Sequence, residues 1–403
     1  MMRKIISLLS IILYLTSPAA FAGNGTKVLG SGAISPILGG TGCAGPQDTA
    51  AMMINPAGIT KIGSRIDLAT EIAHIDMRKD TSQAPFAQFA NSAGWDRSKS
   101  DTIFIPHFGY AGKYRDSKVY YGLAAGVVSG LEVDYKNSRL SQAVTNNDYD
   151  RHVELYVTEF VPTVAYKPTE QLSVGLSGVA VLSRLKADIA NSSLNETVGR
   201  DNGDHAWGIG FNVGTLYDVN DFASVGLSFK SMRWNERFNG YNDTLEKLNN
   251  PPEYIAGVAL KPTDNLLFES NVKYIDWRWV DVTAKSPDHG GYGWENQWVF
   301  GFGAQYRAFE RLKLRLGYSY GQSPIHPDVV YANVLSGLIS EHHLGVGVGY
   351  QLSDHIELNA GWLHVFKNTI KENGMGDSKS RRGEGAQISL EIDSLYAGIS
   401  YLF

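Results

Sequence analysis

Cysteine is nearly absent from this sequence: Cys43 is the only one among 403 residues, which excludes an internal disulfide framework. Basic residues are not in excess, because 36 lysines and arginines accompany 41 acidic residues, so nucleic-acid binding is not expected. Proline is sparse, with 14 residues, whereas 43 glycines and 21 tyrosines favour a β-rich protein. Beyond the N-terminus, no apolar run approaches the about 20 residues that a membrane helix needs.

The N-terminal segment has the pattern of a secretory signal peptide. Arg3 and Lys4 precede an apolar run at 5–15, and the small-x-small triplet at 20–22 forms a cleavage site before Gly23. The run is too short to be a spanning helix. We therefore predict a signal peptide over residues 1–22 and export of the remaining chain.

From Ser64 onward the sequence shows the period of β-strands. Residues 394–403 illustrate it, because successive side chains of a strand point to opposite faces. One face is apolar (Leu395, Ala397, Ile399, Tyr401, Phe403) and the other is small or polar (Ser394, Tyr396, Gly398, Ser400). This decapeptide alone fits the last strand of a soluble sandwich as well as the closing strand of an outer-membrane barrel. In a barrel it would pair with a first strand near 66–72 and turn its apolar face toward lipid.

Fourteen such strands are predicted along the chain. They run over 64–76, 102–115, 118–135, 153–167, 171–190, 204–218, 222–241, 251–262, 265–284, 294–308, 311–322, 340–352, 355–373 and 384–403. Many are longer than the usual five or six residues, and they satisfy the about nine to eleven that a tilted membrane crossing needs.

The connections between these strands alternate between tight turns and longer polar loops. The longer loops lie near 77–101, 136–152, 191–203, 242–250, 285–293, 323–339 and 374–383. Outer-membrane barrels have short periplasmic turns and long external loops. The sequence therefore predicts an all-β protein, a 14-stranded antiparallel transmembrane β-barrel over 64–403. It would lie in the bacterial outer membrane among lipid and lipopolysaccharide, with both termini periplasmic.

Residues 23–63 are rich in small residues and lack sustained alternation, which is typical of a lid, a plug or a linker. Four stretches then carry a resemblance. The first combines GGTGCA at 39–44, Asp48 and NPAGI at 55–59; the others are Ser129-Gly130-Leu131 with Asp134-Tyr135, NNPPE at 249–253 and GYSYGQSPI at 317–325. They resemble, in that order, the plug, the third strand, the start of the eighth strand and the end of the eleventh strand of the FadL family of outer-membrane transporters for hydrophobic compounds.

This resemblance implies that 23–63 is a small plug inside the barrel lumen. It also implies passive uptake of long-chain fatty acids or aromatic hydrocarbons. External loops would capture the ligand, a site near the plug would bind it, and a kink in the third strand would release it laterally. The implied plug or gating residues are Gly39, Gly40, Gly42, Asp48, Asn55, Pro56 and Ala57, and the implied kink residues are Ser129, Gly130 and Leu131.

Two of these motifs also have a direct physical interpretation. An interior glycine such as Gly130 marks the point in a strand where a bulge or kink costs least. An Asn-Pro pair such as Asn55-Pro56 initiates a turn. That turn either links the plug to the lateral opening or only seats the plug, and the residues leave both interpretations open.

The chain departs from the fatty-acid carriers of this family at several positions. The loops after the fifth and seventh strands are short; Ile189 and Glu295 fall where the family keeps basic head-group contacts, and Gly321-Gln322 replace an acidic pair. An uncharged hydrophobic substrate is therefore favoured. Candidate lumen contacts for a ligand are Arg184, Lys186, Lys313 and Arg315.

Other chemistry is weakly indicated. Gly-x-Gly pairs such as 301/303 and 345/347 lie inside strands, which favours small residues on the lumen face over a phosphate loop, and His342 and His343 point to opposite faces, which argues against a metal site. No nucleophile–base–acid set is evident, so we expect no enzyme activity, cofactor or metal. Interface girdles are predicted at Trp234, Trp277, Trp279, Trp294 and Trp362 and at Tyr166, Tyr217, Tyr306, Tyr350 and Tyr401.

A different function on the same barrel is that of a surface-exposed adhesin or antigen. Long aromatic external loops would favour it, whereas the loops at 77–101 and 323–339 are moderate in length. An adhesin needs no plug, so the plug motif favours transport. The terminal aromatic strand also resembles the signal that the barrel-assembly machinery reads, which makes that machinery an expected partner.

Overall fold

The computed structural model describes residues 23–85, 94–135, 152–191, 196–198, 203–239 and 247–403, and these residues form fourteen long strands in one closed antiparallel sheet. In chain order the strands are β1 Arg65–Asp80, β2 Thr102–Lys113, β3 Val119–Asp134, β4 His152–Tyr166, β5 Leu172–Asn191, β6 Asp204–Asp218, β7 Ala223–Lys230, β8 Glu253–Thr263, β9 Leu266–Ile275, β10 Gln297–Phe309, β11 Leu312–Gly321, β12 His342–Gln351, β13 Ile356–Lys371 and β14 Gln387–Leu402. Each strand pairs with its sequence neighbours, which confirms the predicted fourteen-stranded barrel.

The remaining regular elements of the described residues are short. Extra strand pairings occur at Asp96–Arg97, Glu196–Val198 and Trp234–Asn235. Helical turns lie at Ala51–Ile54, Pro56–Thr60, Trp277–Trp279, Asp281–Ala284, Pro287–His289, Tyr331–Asn333 and Ser378–Arg382. In this part of the chain no helix has the length and apolar character to cross a membrane.

The barrel closes by pairing β14 with β1, and the predicted register near 66–72 is confirmed: Ile66 lies opposite Tyr401 and Ile72 opposite Leu395. On the outer face Leu395 is 60% exposed and Phe403 65% exposed. The alternate residues of the same strand, Ser394, Tyr396 and Ser400, are buried on the lumen side. The period-2 alternation of the sequence thus separates a lipid-facing surface from a polar, crowded interior.

Residues 23–63 lie inside the lumen, as expected of a plug, and contact the wall around most of its circumference. The close approaches occur where the wall carries glycine. A Cβ atom at Gly317 or Gly345 would lie within 2.5 Å of the backbone of Ile37, one at Gly175 would lie 2.4 Å from the backbone of Ala57, and one at Gly226 would lie 2.2 Å from the carbonyl oxygen of Cys43. The predicted role of lumen-facing glycines is therefore confirmed at Gly301, Gly303 and Gly345, which all touch the plug.

Two predicted strands are too long. The seventh was expected over 222–241 and the ninth over 265–284, but β7 ends at Lys230 and β9 at Ile275. After β9 the chain turns into the helical segments Trp277–Trp279 and Asp281–Ala284. At the end of β9 Trp277 turns inward: it is only 2% exposed and donates its indole N–H to the side chain of Gln297 at 3.1 Å.

The girdle prediction is wrong for Trp277 and Trp294. Both are buried and pack edge to face, with ring centroids 4.8 Å apart. They belong to a hydrophobic cluster with Ile325, Val330 and Leu338 from the loop after β11. The other residues of the predicted girdles are exposed on the outer surface, as expected: Trp234, Trp279, Trp362, Tyr166, Tyr217, Tyr306, Tyr350 and Tyr401.

Residues 276–296, 322–341 and 372–386 pack together as a cap over the long-loop end of the barrel. The Trp294 indole donates to the Asn333 side chain at 2.7 Å, and the Asn373 amide donates to the carbonyl of Pro327 at 2.7 Å. Asp288 accepts hydrogen bonds from the amide and the hydroxyl of Ser378 at 2.8 and 2.7 Å. This side of the barrel mouth is therefore closed by packed structure.

Candidate functional site

The third strand leaves the wall at the predicted position. Pairing between β2 and β3 stops at His107 and Gly126, whereas pairing between β3 and β4 continues to Asp134, with a register shift between Val127 and Ser129. From Ala124 to Val133 the strand is buried on both faces, unlike a strand that faces lipid on one side. Ser129, Gly130 and Leu131 therefore lie just past a bulge, in a segment that bends into the barrel.

The N-terminal end of the plug, residues 24–29, fills the place beside this segment that β2 would otherwise occupy. The Val28 amide donates to the carbonyl of Val128 at 3.1 Å, and the Gly130 amide donates to the carbonyl of Thr26 at 2.9 Å. Lys27 and Ser129 form an antiparallel bridge. Since β4 holds the other edge of β3, this pairing satisfies backbone groups that the kink would leave without partners in a membrane wall.

A buried ionic cluster fixes the same N-terminal segment. The carboxylate of Glu253 on β8 accepts Lys27 at 3.1 Å, Lys230 at 3.1 Å and Lys273 at 3.9 Å. Burial lowers the pKa of the Lys27 ammonium, and the nearby Glu253 opposes that effect. Because the side chains of Lys27 and Glu253 are only 5% and 2% exposed, this pair holds the segment through a contact shielded from water.

Next to this cluster, Arg233 lies against Glu159 of β4 at 2.7 Å and donates to Asn212 of β6 at 2.8 Å. From sequence, the stretch at 249–253 is recognisable only by its resemblance, and the ionic cluster was not predicted. The signal that could have indicated the cluster is the single acidic residue Glu253 at the start of β8, together with Lys230 and Lys273 at lumen positions of the neighbouring strands β7 and β9.

The Asn-Pro-Ala turn joins the plug to the wall. Asn55 is fully buried, and its side-chain amide donates to the carbonyl of Cys43 in the plug at 2.8 Å and to that of Thr215 on β6 at 2.9 Å. Its side-chain oxygen accepts the Ala57 amide at 3.2 Å, which caps the helical turn Pro56–Thr60. The turn therefore holds the plug against β6, whereas the kink lies in β3.

The three predicted plug glycines adopt backbone conformations that other residues rarely take. Gly39, Gly40 and Gly42 have φ values of +71°, +76° and +127°. Gly39 also lies against β11, because a Cβ atom there would be 2.4 Å from the carbonyl oxygen of Tyr318. These glycines allow the plug to turn tightly against the wall.

Asp48 lies buried in the plug, accepts the Ala50 amide at 3.0 Å, and has its pKa raised by burial. Close to it on β1, Asp67 accepts the Thr49 amide at 2.8 Å, and Arg65 donates to the carbonyl of Gln47 at 3.0 Å. The charged lumen residues of β1 thus hold the plug.

The four candidate ligand contacts do not come together. Arg184 lies toward the long-loop end of β5 and pairs with Glu154 at 2.7 Å. Lys313 and Arg315 lie at the short-turn end of β11 and both pair with Glu357 on β13, at 2.9 and 3.4 Å. Lys186, two residues after Arg184, stands opposite Glu154 in the pairing of β4 and β5. Because Arg184, Lys313 and Arg315 already have carboxylate partners, the set does not form one head-group site.

An apolar crevice lies between the N-terminal segment and the wall. It is lined by Val28, Leu29, Glu71, Ala73, Ile75, Ile103, Ile105, Leu363, Ile392 and Tyr396. Its free space is about that of one water molecule, so a ligand enters only if the N-terminal segment moves. The kink, the N-terminal segment and this crevice together form the candidate site.

Comparison with known proteins shows the family to which this chain is related. Residues 13–401 match the family model described as "Outer membrane protein transport protein (OMPP1/FadL/TodX)". A 47 kDa outer membrane protein of Pasteurella multocida is 24% identical over 235 residues, which cover 49% of this chain and 54% of that protein. A putative outer membrane protein of Neisseria meningitidis is 22% identical over 276 residues, 56% of each chain. This chain thus spans about half the length of the curated relatives it matches.

Solved structures share the fold. The toluene transporter TodX of Pseudomonas putida superposes with a TM-score of 0.68 at 18% identity, covering 94% of this chain and 99% of that one. The toluene transporter TbuX of Ralstonia pickettii gives 0.66 at 17% identity, covering 93% and 99%. A FadL homologue of Pseudomonas aeruginosa gives 0.66 at 13% identity, covering 94% and 99%.

Proposed function

This chain belongs to the FadL/TodX family of outer-membrane transport proteins, and we propose that it conducts hydrophobic small molecules passively into the cell. In this proposal the long loops face outward and both termini face the periplasm. The ligand reaches the crevice beside the N-terminal segment and leaves sideways where β2 and β3 separate. Fatty acids and aromatic hydrocarbons are both candidate substrates.

The observation that carries this proposal is that the N-terminal segment of the plug takes the place of β2 as the pairing partner of β3 at the kink. Residues 127–134 do not pair with β2. Val128 and Gly130 form backbone hydrogen bonds with Val28 and Thr26 instead, and the Asp134 carbonyl accepts the Lys99 amide just before β2. When the N-terminal segment withdraws, a gap opens beside the apolar side chains of Ile103 and Ile105, which suits a hydrophobic ligand.

Changing Gly130 to valine is expected to slow uptake of hydrophobic compounds by whole cells. A β-branched side chain adds bulk and stiffness at the bulge, where the segment must separate from Thr26. Uptake of radiolabelled oleate and of toluene measures the effect, relative to a strain that lacks the gene.

Gly178→Val is the matched control, because a Cβ atom at Gly178 on the outer face of β5 would meet only the ring of Pro162, at 4.0 Å. It is expected to leave uptake unchanged. The transport proposal fails if deletion of the gene changes neither oleate nor toluene uptake. The lateral route fails if deletion slows uptake while Gly130→Val does not.

A further inference from the structure

Two polar side chains face the apolar crevice from its β1 and β14 walls. Glu71 lies directly opposite Tyr396 in the pairing of these strands, and it accepts the hydroxyl of Ser394 at 2.7 Å. Glu71 is only partly buried, whereas Tyr396 is 5% exposed. Within the described ranges Glu71 has no ion pair, unlike Glu253 or Glu357. A carboxyl group is therefore presented to an otherwise apolar space without a compensating cation.

A histidine stands where β2 and β3 separate. His107 follows Ile103 and Ile105 at alternate positions of β2, so all three side chains point into the lumen. Its neighbour across the sheet is Gly126, the last residue of β3 that still pairs with β2. His107 is 5% exposed, and neither ring nitrogen has a hydrogen-bond partner among the residues that the structure describes. His107 lies one alternate position beyond Ile105, the last β2 residue that lines the crevice, so it stands next to the crevice without lining it.

The charge and hydrogen-bonding pattern of these groups selects among ligands. A carboxylate ligand would bring a second acid beside Glu71 in a low-dielectric space, which is unfavourable. A pure hydrocarbon would fill the crevice but offer no hydrogen bond to Glu71. A hydroxyl group can donate a hydrogen bond to Glu71 while the rest of the molecule contacts the isoleucines.

We propose that this crevice, lined by Glu71, Tyr396 and the N-terminal segment, is a specificity site for neutral hydrocarbons that carry one hydroxyl group. This inference rests on the proposed transport function and names its substrate class. Val28 and Leu29 line the crevice, so withdrawal of the N-terminal segment from β3 also makes room for such a ligand.

The test uses three probes of similar shape with the full-length protein in detergent. p-Cresol carries the hydroxyl, p-xylene replaces it with a methyl group, and 4-methylbenzoate replaces it with a carboxylate. Isothermal titration calorimetry is expected to show p-cresol binding about tenfold more tightly than p-xylene, the worth of one buried hydrogen bond, with 4-methylbenzoate weakest.

Variants at Glu71 assign the preference to the site. Glu71→Leu is expected to abolish the preference of p-cresol over p-xylene. Glu71→Gln, of the same shape, keeps that preference but binds 4-methylbenzoate more tightly, because the repelling charge is gone. Glu391→Leu, on the outer face of β14, is the control and leaves all three affinities unchanged. Heat-modifiability on gels verifies that each barrel has folded.

Equal wild-type affinities for p-cresol and p-xylene, or a preference that survives Glu71→Leu, overturn the inference. Flux of the probes into proteoliposomes separates this outcome from failure of the transport function. Flux without any preference for the hydroxyl contradicts only the specificity site. No binding and no flux of any probe contradicts both.

Discussion

A valine at position 317 is expected to displace the plug and make the barrel leaky. A Cβ atom at Gly317 of β11 would lie 2.3 Å from both the Gly39 amide nitrogen and the Ile37 carbonyl oxygen. These are backbone atoms of a buried segment, so rotation of a side chain cannot relieve the clash. Overpacking of this kind costs about 1–3 kcal/mol in a soluble core. The plug can avoid that cost by moving away from β11.

Planar-bilayer recordings are expected to show a rise in ion conductance for Gly317→Val, and cells that carry it should become sensitive to bulky hydrophilic antibiotics. The same exchange at Gly178, on the lipid-facing surface, adds equal volume without a backbone clash and should leave conductance unchanged. If Gly317→Val conducts no more than the wild type and unfolds at the same urea concentration, the close contact between plug and wall is refuted.

Glu253→Ala is expected to destabilise the protein and free its N-terminal segment. The change removes the carboxylate shared by Lys27, Lys230 and Lys273, and leaves three ammonium groups facing one another in a buried space. Breaking a buried ion pair from one side costs about 3–5 kcal/mol. The segment can lower that cost by withdrawing Lys27 toward water, since burial already lowers the pKa of this ammonium.

Urea unfolding measures the loss of stability, and limited trypsin digestion followed by mass spectrometry detects cleavage after Lys27. Glu170→Ala is the control, because Glu170 meets Lys167 and Lys118 on the exposed turn after β4, where ion pairs contribute little. Adding Lys27→Met to Glu253→Ala should restore part of the stability, since one uncompensated charge is then removed. Full resistance of Lys27 to trypsin in Glu253→Ala would refute the anchoring role.

Most of the fold was predictable because lipid and lumen impose opposite demands on alternate residues. β6 over 206–214 and β14 over 394–401 illustrate this, since their outer faces are apolar and their inner faces small or polar. The errors at β7 and β9 arise where this rule stops. Trp277 and Trp294 have the composition of a membrane girdle, but they pack on residues of the loop at 322–341, and such contacts between distant loops leave no periodic signal.

The candidate site was only partly predictable, for a related reason. Ser129, Gly130 and Leu131 could be placed because a glycine inside a strand marks a bulge. The partner of that bulge could not, because Thr26 and Val28 meet β3 through backbone groups, which carry no sequence information. For Arg184 and Arg315 the charge was evident from sequence, but their carboxylate partners Glu154 and Glu357 depend on strand register.

The glycines that face the plug have a consequence for how this protein changes over time. The wall carries glycine where Ile37, Gly39 and Asn55 approach it, so the inner surface of the barrel is complementary in shape to this particular plug. A plug with a different surface would clash with side chains of the wall at some positions and leave gaps beside its glycines at others. Substitutions in the plug and in the facing wall should therefore occur together during evolution. A chimaeric protein would need its plug and its barrel from the same parent.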